Sequence, residues 1–538
     1  MPKYLFFVLV ILTVVKVQGQ TKEEKINTLV NTYSNTDRFN GSVLIAEKGK
    51  IIFEKSFGIQ DFQTKIKNTN QSKYRIYSTT KTFTATVALL LNEEGKLSLN
   101  DKLSKYYPDF PKGDSITIEN LITHTSGIPG DRGPESTKNE DVFIKSISQQ
   151  PFVFSPGKGW GYSNSNYYIL GYIITKASGM PYPKAIQHYI LDPLGMKDTG
   201  FGFKDLKDKN KTTGYEYLSP HNYREAVVYD YDHPHAAGAM YSTVEDLYKF
   251  EEGIKAYKIL NKETLKKAQT PFKTYDFGYG WHRQIIKGRT TIGHDGAGPG
   301  FISRFITIPD EDISIIILSN LKDNSVFEMT DKIIAILSGE KYDLPKKVNI
   351  GKKYEKELTG LYQSKNSFFY ILANDNILSF KETNEGEGIL FTESPAKFYI
   401  NNQIGDRIYF EFKPDSKGKN TVLNIVIKDK IVKEAKKIDD HFLWGVTGSA
   451  MPNGWNGPDT KLTPTEKNEN ILEAKNIPLK SGQIKFRGNN EWTLDLGVND
   501  SNQLVQYGRN INVEAGTYDI IFDITNPIRP TYQLIKKK

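Results

Sequence analysis

A serine and a lysine three residues apart, Ser78 and Lys81, stand just before an apolar-rich run from Phe83 to Leu91. The apolar spacing in this run predicts a buried helix, and Gly95 marks its end. Residues three apart on a helix share one face, so the lysine is expected to reach the serine. A serine hydroxyl needs a nearby base to attack at neutral pH, and burial can lower the pKa of a lysine enough for that role. The pair predicts a nucleophile at a helix N-terminus, although Ser78 alone could be only an N-cap.

Two further motifs follow along the chain. Tyr162 and Asn164 stand two residues apart after the turn signal Pro156-Gly157, and both could face one cleft from a loop. His294-Asp295-Gly296 ends a run that is typical of an edge strand. Each motif is weak alone, and their meaning depends on their coming together in the fold.

The sequence around the motifs is typical of an α/β domain. Ser42 to Phe57 predicts a hairpin that turns at Lys48-Gly49, and Phe301 to Ile308 with Ile313 to Leu318 predicts another. The run from Ser325 to Leu337 predicts a helix. We therefore expect helices and one antiparallel sheet around the motifs, with the cleft between the sheet and a helical lobe.

In this order the three motifs resemble those of the penicillin-recognising serine hydrolases, in particular class C β-lactamases with their esterase and D-aminopeptidase relatives. Two further stretches, Leu121 to Pro129 (L-I-T-H-T-S-G-I-P) and Ala237 to Phe250, resemble stretches of the same family. The resemblance runs from about Leu29 to about Gly339. It implies a β-lactamase/transpeptidase-like domain, which we place at residues 20–345.

The resemblance also implies a role for each residue of the first two motifs. Ser78 would be the nucleophile that forms an acyl-enzyme. Lys81 and Tyr162 would shuttle the proton, first from the serine and then to the leaving group. Asn164 would hydrogen-bond Lys81 and a substrate amide. No cofactor and no metal are expected.

On the third motif, Gly296 and Ala297 would lie on the substrate-binding side of the cleft. The backbone N–H groups of Ser78 and Ala297 would form the oxyanion hole, in which one donor contributes about 3–4 kcal/mol in other enzymes. The chain departs from the family at His294, where the motif usually begins with lysine. An unperturbed histidine is mostly neutral at neutral pH, so it attracts a substrate carboxylate less than lysine does. This difference favours an esterase or a peptidase over a true β-lactamase.

Three other histidines have simpler interpretations. His124 is interpreted as structural, since it could brace the turn Thr125-Ser126-Gly127. His233 and His235 flank Pro234. Two histidines on a loop could bind a metal, but no third ligand is evident, and a wall of the cleft is the preferred interpretation.

Composition bounds the location and the partners. Residues 1–19 are typical of a secretory signal peptide, with Lys3, an apolar core from Tyr4 to Val15 and the small-residue site Val17-Gln18-Gly19. An uncleaved anchor is the alternative, but the apolar run is short for a bilayer. The chain has no cysteine, which excludes disulfides and a lipid-modified cysteine. The net charge of +8 is spread among interleaved acidic residues, so no nucleic-acid partner is expected.

Two all-β domains are expected after the α/β domain. Residues 350–436 contain short alternating strands and resemble the lipocalin-like appendage of such hydrolases. Residues 440–538 resemble the C-terminal β-sandwich of SusE/SusF-type outer-membrane starch-binding proteins. That resemblance implies a glycan or envelope partner, with Trp455 and Trp492 as candidates for stacking on sugars, unless both belong to the core.

Two functions remain open on the sequence alone. The first is a secreted serine hydrolase that uses Ser78 on a small ester, a D-amino-acid peptide or a related amide. The second is a glycan- or peptidoglycan-binding protein that keeps the hydrolase fold as a scaffold. We favour the first, at the periplasm or cell surface of a Gram-negative bacterium, with no transmembrane segment in the mature chain.

Overall fold

The structure is a computed structural model, and the described residues form two compact units. The described residues are 20–130, 139–218, 223–227, 236–346, 351–365, 367–374, 377–382, 386–402, 406–416, 418–438, 443–499, 503–506, 508–525 and 530–537. The units are Met1–Pro345 and Lys346–Lys538. The predicted signal peptide and the pair His233 and His235 lie outside the described residues. Within the described part, no helix has both the length and the apolarity that crossing a bilayer requires.

The first unit is built around a six-stranded antiparallel sheet in the order β2-β1-β10-β9-β8-β7. Its helices and strands are α1 (Lys22–Asn35), β1 (Gly41–Glu47), β2 (Lys50–Phe57), β3 (Tyr74–Arg75), α2 (Thr80–Glu93), α3 (Ile118–Ile122), α4 (Glu140–Ser148), α5 (Asn164–Ser178), α6 (Tyr182–Ile186), α7 (Asp192–Leu194), β4 (Tyr215–Leu218), β5 (Tyr223–Glu225), β6 (Tyr241–Ser242), α8 (Val244–Lys255), α9 (Lys262–Gln269), β7 (His282–Ile286), β8 (Arg289–Gly298), β9 (Phe301–Ile308), β10 (Ile313–Ser319) and α10 (Ser325–Leu337).

Helices cover both faces of this sheet. Alternate residues of a strand point to opposite faces, and β1 follows this rule. Val43 and Ile45 pack with α1 and α10, whereas Leu44 packs in the cluster that contains α2, α5 and α8. Strands β9 and β10 are buried at every position because both faces are covered. Both predicted hairpins and the predicted helix α10 are confirmed.

The prediction of an edge strand at the third motif is wrong for β8 as a whole. Strand β8 lies between β7 and β9, and β7 takes the edge. The pairing of β7 with β8 ends at Gly293, however. In the described part of the chain, His294 to Gly298 therefore pairs on one side only, with β9. Strand β7 was not predicted, because its residues do not alternate between apolar and polar as those of a half-buried strand usually do.

Ser78 lies in a short 3₁₀ turn, Tyr77–Thr79, directly before α2. The predicted helix is confirmed, and it ends at Glu93, with Glu94 as the C-cap and Gly95 in the left-handed region at φ 69°. The N-cap of α2 is Thr79, so the interpretation of Ser78 as its N-cap is wrong.

Hydrogen bonds fasten the Ser78 turn to the sheet from both sides. The Tyr77 hydroxyl donates to the carbonyl of Pro299 at 2.8 Å, just after β8. On the other side of Ser78, Thr79 Oγ1 donates to the carbonyl of His294 at 3.2 Å. From β9, the Ser303 hydroxyl donates to the carbonyl of Ile76 at 2.8 Å. The backbone position of the serine is therefore set by β8 and β9.

Gly296 is the point at which β8 passes closest to this turn. A Cβ at this position would lie 2.0 Å from the Ile76 carbonyl oxygen and 2.5 Å from Ser303 Oγ. A backbone carbonyl cannot swing away as a long side chain can, so either the turn or the strand would have to move.

We predict that Gly296→Ala destabilises the first unit by about 1–3 kcal/mol, as overpacking typically does. Differential scanning calorimetry of the full chain would measure the change. Gly130→Ala is the matched control, because its Cβ would meet only the Tyr162 carbonyl oxygen at 3.7 Å. Equal melting of the two variants would contradict the close approach.

The second unit begins with α11 (Gly351–Leu358), followed by a closed eight-stranded barrel. The barrel strands are β11 (Gly360–Gln363), β12 (Phe368–Asn374), β13 (Ile377–Glu382), β14 (Gly386–Ser394), β15 (Lys397–Asn401), β16 (Arg407–Pro414), β17 (Asn420–Ile427) and β18 (Lys430–Lys437). Every neighbouring pair is antiparallel, and β11 closes on β18. Large side chains such as Phe398, Phe410 and Phe412 fill the core. A filled interior is typical of a barrel of this size.

The rest of the second unit is a β-sandwich. Its strands are β19 (Trp444–Thr447), β20 (Thr460–Lys461), β21 (Thr463–Thr465), β22 (Asn468–Leu479), β23 (Gly482–Gly488), β24 (Glu491–Val498), β25 (Leu504–Gln506), β26 (Ile511–Val513), β27 (Gly516–Asp523) and β28 (Thr531–Lys536). One sheet has the order β20-β19-β23-β24-β25, with β26 paired to β23, and the other has β21-β22-β27-β28. The predicted α/β domain followed by all-β domains is confirmed. The exact domain limits and the SusE/SusF resemblance stay predictions.

Candidate active site

The amine of Lys81 is the centre of the candidate site. Lys81 lies in the first turn of α2 and its side chain is fully buried. Its Nζ is 3.0 Å from Ser78 Oγ, 2.8 Å from Asn164 Oδ1 and 2.7 Å from the carbonyl oxygen of Ala237. The structure thus brings together Ser78, Lys81 and Asn164, as the sequence predicts.

Burial lowers the pKa of Lys81 well below its usual value. Among the described residues, no carboxylate forms an ion pair with it that would oppose this shift. The rings of Tyr162 and Tyr167 lie 4.9 and 5.5 Å from Nζ. Such cation–π contacts stabilise a charge by about 0.5–2 kcal/mol, whereas removing an ammonium from water costs several kcal/mol. Desolvation is therefore the larger effect, and it shifts the equilibrium of Lys81 toward the neutral amine.

The three neighbours of the amine suit its neutral form. Two of them, Asn164 Oδ1 and the Ala237 carbonyl, are oxygens that only accept hydrogen bonds. A neutral amine has two hydrogens to donate to these oxygens and one lone pair. In the structure Lys81 Nζ donates to Ser78 Oγ, and once the amine is neutral its lone pair can instead accept from the Ser78 hydroxyl. This geometry prepares Lys81 to take the serine proton.

Tyr162 lies beside this pair. The residue is 40 % exposed, but its phenol interacts with Ser78. Burial raises the pKa of Tyr162 above its usual value, and the hydrogen bond with Ser78 only partly opposes this shift. The phenol is therefore protonated at neutral pH, so it can donate a proton but cannot be the resting base. Its partner in the motif, Asn164, is not in a loop but is the first residue of α5.

His294 is almost completely buried, with 6 % of the residue exposed. Burial, together with the nearby Lys81, lowers the pKa of His294 to about 3. The ring is therefore neutral, and Nδ1 lies 2.6 Å from the carbonyl oxygen of Asp295, to which it can donate. The ring centroid is 6.3 Å from that of Tyr162, so the residue does lie at the site. A neutral histidine does not supply the charge that a substrate carboxylate would need.

Gly296 and Ala297, two of the predicted oxyanion and substrate-binding residues, lie on the part of β8 that pairs only with β9 in the described part of the chain. Ala297 is exposed there and pairs only with Ile302 of β9 in the described part of the chain. The adjacent Gly298 has room for no side chain, because a Cβ would meet the ring of Tyr77 at 2.4 Å. The strand and the Ser78 turn are thus neighbours, and the oxyanion role of Ser78 and Ala297 stays a prediction.

Two contributions were not evident in the sequence. The carbonyl of Ala237 completes the lysine site, although the sequence suggested only that its stretch belongs to the family. His124 does not mainly brace the following turn, because its ring accepts a hydrogen bond from the backbone N–H of Ser163 at 3.1 Å. Among the described residues, no group of three His, Asp or Glu side chains is placed to hold a metal.

We predict that the ring of His294 does not titrate between pH 5 and 9, because its pKa is about 3. Histidine ¹³C NMR over this pH range would test it, with His294→Gln identifying the signal. A His294 transition near neutral pH would restore the histidine as a possible carboxylate anchor.

Comparisons with known proteins agree with this geometry. A family model described as Beta-lactamase matches residues 26–338. The putative penicillin-binding protein PbpX of Bacillus subtilis (strain 168) is 31 % identical over 329 residues, which cover 61 % of this chain and 83 % of that protein.

Two solved structures have the same fold. The octameric penicillin-binding protein homologue from Pyrococcus abyssi matches with a TM-score of 0.54 and 24 % identity, over 77 % of this chain and 99 % of that one. The D-amino acid amidase from Ochrobactrum anthropi SV3, complexed with L-phenylalanine amide, matches with a TM-score of 0.52 and 22 % identity, over 59 % and 99 %. At these identities the two structures show the fold alone. The family model spans more than half of the sequence, and the chain belongs to the beta-lactamase family.

Proposed function

We propose that this protein is a serine hydrolase that forms an acyl-enzyme on Ser78. The proposal rests on one observation, the buried amine of Lys81 at 3.0 Å from Ser78 Oγ, with two carbonyl-type oxygens as its other partners. A nucleophile and its base within hydrogen-bond distance, with the base oriented by a third group, are what covalent catalysis requires.

The reaction would proceed by two acyl transfers. Lys81 takes the proton of Ser78 as Oγ attacks the substrate carbonyl carbon, and the N–H groups of Ser78 and Ala297 stabilise the oxyanion. The protonated Tyr162 gives its proton to the leaving group as the carbonyl–leaving-group bond breaks, and the ammonium of Lys81 restores that proton. Water then attacks the acyl carbonyl carbon, and the bond from that carbon to Ser78 Oγ breaks. The same groups carry the proton from the water to Ser78 Oγ.

The proposed substrates are esters and amides whose acyl part needs no cationic anchor at the third motif. The neutral His294 supports this choice, because a fixed positive charge there would be needed to attract a carboxylate. A D-amino-acid amide, a D-peptide or a small ester fits better than a penicillin. The solved amidase of the same fold is consistent with this range. Secretion and a place in the cell envelope stay predictions.

We predict that Ser78→Ala abolishes the hydrolysis of a short-chain nitrophenyl ester and that Lys81→Met slows acylation by at least ~10²-fold, the usual effect of losing a general base. Stopped-flow release of nitrophenol would measure acylation. In the unchanged protein its rate should rise with pH along a limb well below the ordinary lysine pKa, because only the neutral amine accepts a proton.

Lys96→Met is the control for this prediction, since Lys96 lies just beyond the other end of α2 and is exposed. It should leave acylation and its pH dependence unchanged. If Lys81→Met turned over at a near-normal rate, or kept the same pH limb, Lys81 would not be the base. If Ser78→Ala hydrolysed the ester as fast as the unchanged protein, the proposal of an acyl-enzyme on Ser78 would be wrong.

A second role is proposed for the C-terminal sandwich, which we infer to bind a glycan. Neither candidate tryptophan belongs to the core, which contains Trp444 instead. Trp492 is 45 % exposed, and its ring centroid is 5.9 Å from that of the half-buried Trp455. The guanidinium of Arg487 lies 4.6 Å from the Trp492 ring and pairs with Asp459. An exposed indole held by a fixed polar group offers the apolar face and polar rim that sugars require.

We predict that soluble starch in a native gel retards the unchanged protein and that Trp492→Ala migrates faster in the same gel. Trp160→Ala is the control, because Trp160 is similarly exposed at 38 % but lies in the first unit. Purified peptidoglycan in a pull-down is the second probe. Binding of neither glycan, or equal binding by both variants, would contradict the proposal.

A further inference from the structure

His124 lies in the left-handed backbone region, which residues other than glycine adopt uncommonly. The residue follows α3 and its C-cap Thr123, and its φ is 59°. A left-handed residue after a helix is most often glycine and sometimes asparagine, because a branched or ring-bearing side chain is strained there. The histidine is also completely buried. Such a strained residue persists where its side chain has a use, so the imidazole itself needs an explanation.

Two hydrogen bonds run from His124 to the residues on either side of Tyr162. The carbonyl of His124 accepts from the N–H of Gly161 at 3.0 Å. Its Nδ1 accepts from the N–H of Ser163 at 3.1 Å. One residue therefore holds the backbone immediately before and immediately after the tyrosine. The Ser163 N–H belongs to the peptide group that follows Tyr162, and the Gly161 N–H lies one residue before it, so the two bonds bracket the tyrosine backbone.

The imidazole is also in contact with the tyrosine ring. The centroids of His124 and Tyr162 lie 4.5 Å apart, with an angle of 31° between the planes. The rings of Tyr167, Phe277 and Trp160 surround the other sides at 5.1, 4.9 and 6.2 Å. This aromatic cage keeps the imidazole in one orientation, which aims Nδ1 at the Ser163 N–H.

The protonation state agrees with the geometry. A ring nitrogen that accepts a hydrogen bond carries no proton, so His124 must be neutral with its hydrogen on Nε2. Burial, together with the nearby Lys81 and His294, holds the pKa of His124 well below its usual range. Burial therefore favours the neutral form, in which Nδ1 is an acceptor.

We propose that His124 is the positioning residue that holds the phenol of Tyr162 at Ser78, a claim that rests on the proposed serine hydrolase function. His124 itself does not touch the reacting atoms. It acts by fixing the backbone on either side of the tyrosine that gives its proton to the leaving group. A displaced proton donor slows the chemical step more than it weakens substrate binding, because its contact matters most in the transition state.

Three substitutions separate the hydrogen bond from packing. His124→Gly removes the strain and keeps the backbone carbonyl but deletes the Nδ1 acceptor. His124→Asn also tolerates the left-handed conformation and places an amide oxygen close to the position of Nδ1. His124→Leu refills the volume without an acceptor. The exposed His188→Asn is the control for an unrelated histidine.

We expect the Gly and Leu variants to lower kcat for a D-amino-acid amide, whose leaving amine must take a proton, by at least ~10-fold, with KM changed by less than ~3-fold, since small misplacements of catalytic groups have effects of this size or larger. The Asn variant should recover most of kcat. Unchanged kcat in the Gly and Leu variants, or an Asn variant as slow as Gly with the same melting temperature, would overturn the positioning role.

Amide hydrogen exchange tests the same claim without any activity. A peptide that contains Ser163 should exchange faster in the Gly and Leu variants than in the unchanged protein, and nearly normally in the Asn variant. If the unchanged protein hydrolysed no ester but showed this exchange pattern, the proposed function would fail and the positioning contact would stand. Uniform exchange in all variants would overturn the contact whatever the activity.

Discussion

The desolvated amine of Lys81 is the interaction on which the rest of the site depends. An ammonium without a carboxylate partner is unfavourable in a protein interior, so burial shifts the equilibrium toward the neutral amine. The neutral form then matches its surroundings, because two acceptor oxygens use its hydrogens and Ser78 meets its lone pair. The same low-polarity surroundings keep the phenol of Tyr162 protonated and the ring of His294 neutral. Removal from water thus shifts the pKa of all three groups in the direction that favours the uncharged form.

The fold maintains this condition by bringing distant segments to one point. The start of α2 supplies Lys81, the first residue of α5 supplies Asn164, and the segment before β6 supplies the Ala237 carbonyl. The Ser78 turn is fixed by hydrogen bonds to β8 and β9, and Gly296 allows the strand to approach it. A sheet covered by helices on both faces makes these positions rigid, because close-packed interiors leave side chains little freedom.

The sequence alone predicted the features that depend on the spacing of nearby residues. The three-residue spacing of Ser78 and Lys81, the alternating hairpin strands and the helix α10 all follow from periodicity. Contacts of backbone groups were not predictable, because the Ala237 carbonyl and the N–H of Ser163 carry no side-chain signal. His124 appeared structural for the same reason. Its two hydrogen bonds to the backbone on either side of Tyr162, which depend on the fold, are what distinguish it.

The protonation state of Lys81 is the most direct test of the account. NMR of the full chain labelled with ¹⁵N-lysine would report it, and Lys81→Met would identify the signal. The account predicts a neutral amine at neutral pH, distinct from the ammonium signals of the surface lysines. An ammonium at Lys81 that persists to the ordinary lysine pKa of about 10.4 would contradict it, since a charged lysine cannot accept the proton of Ser78.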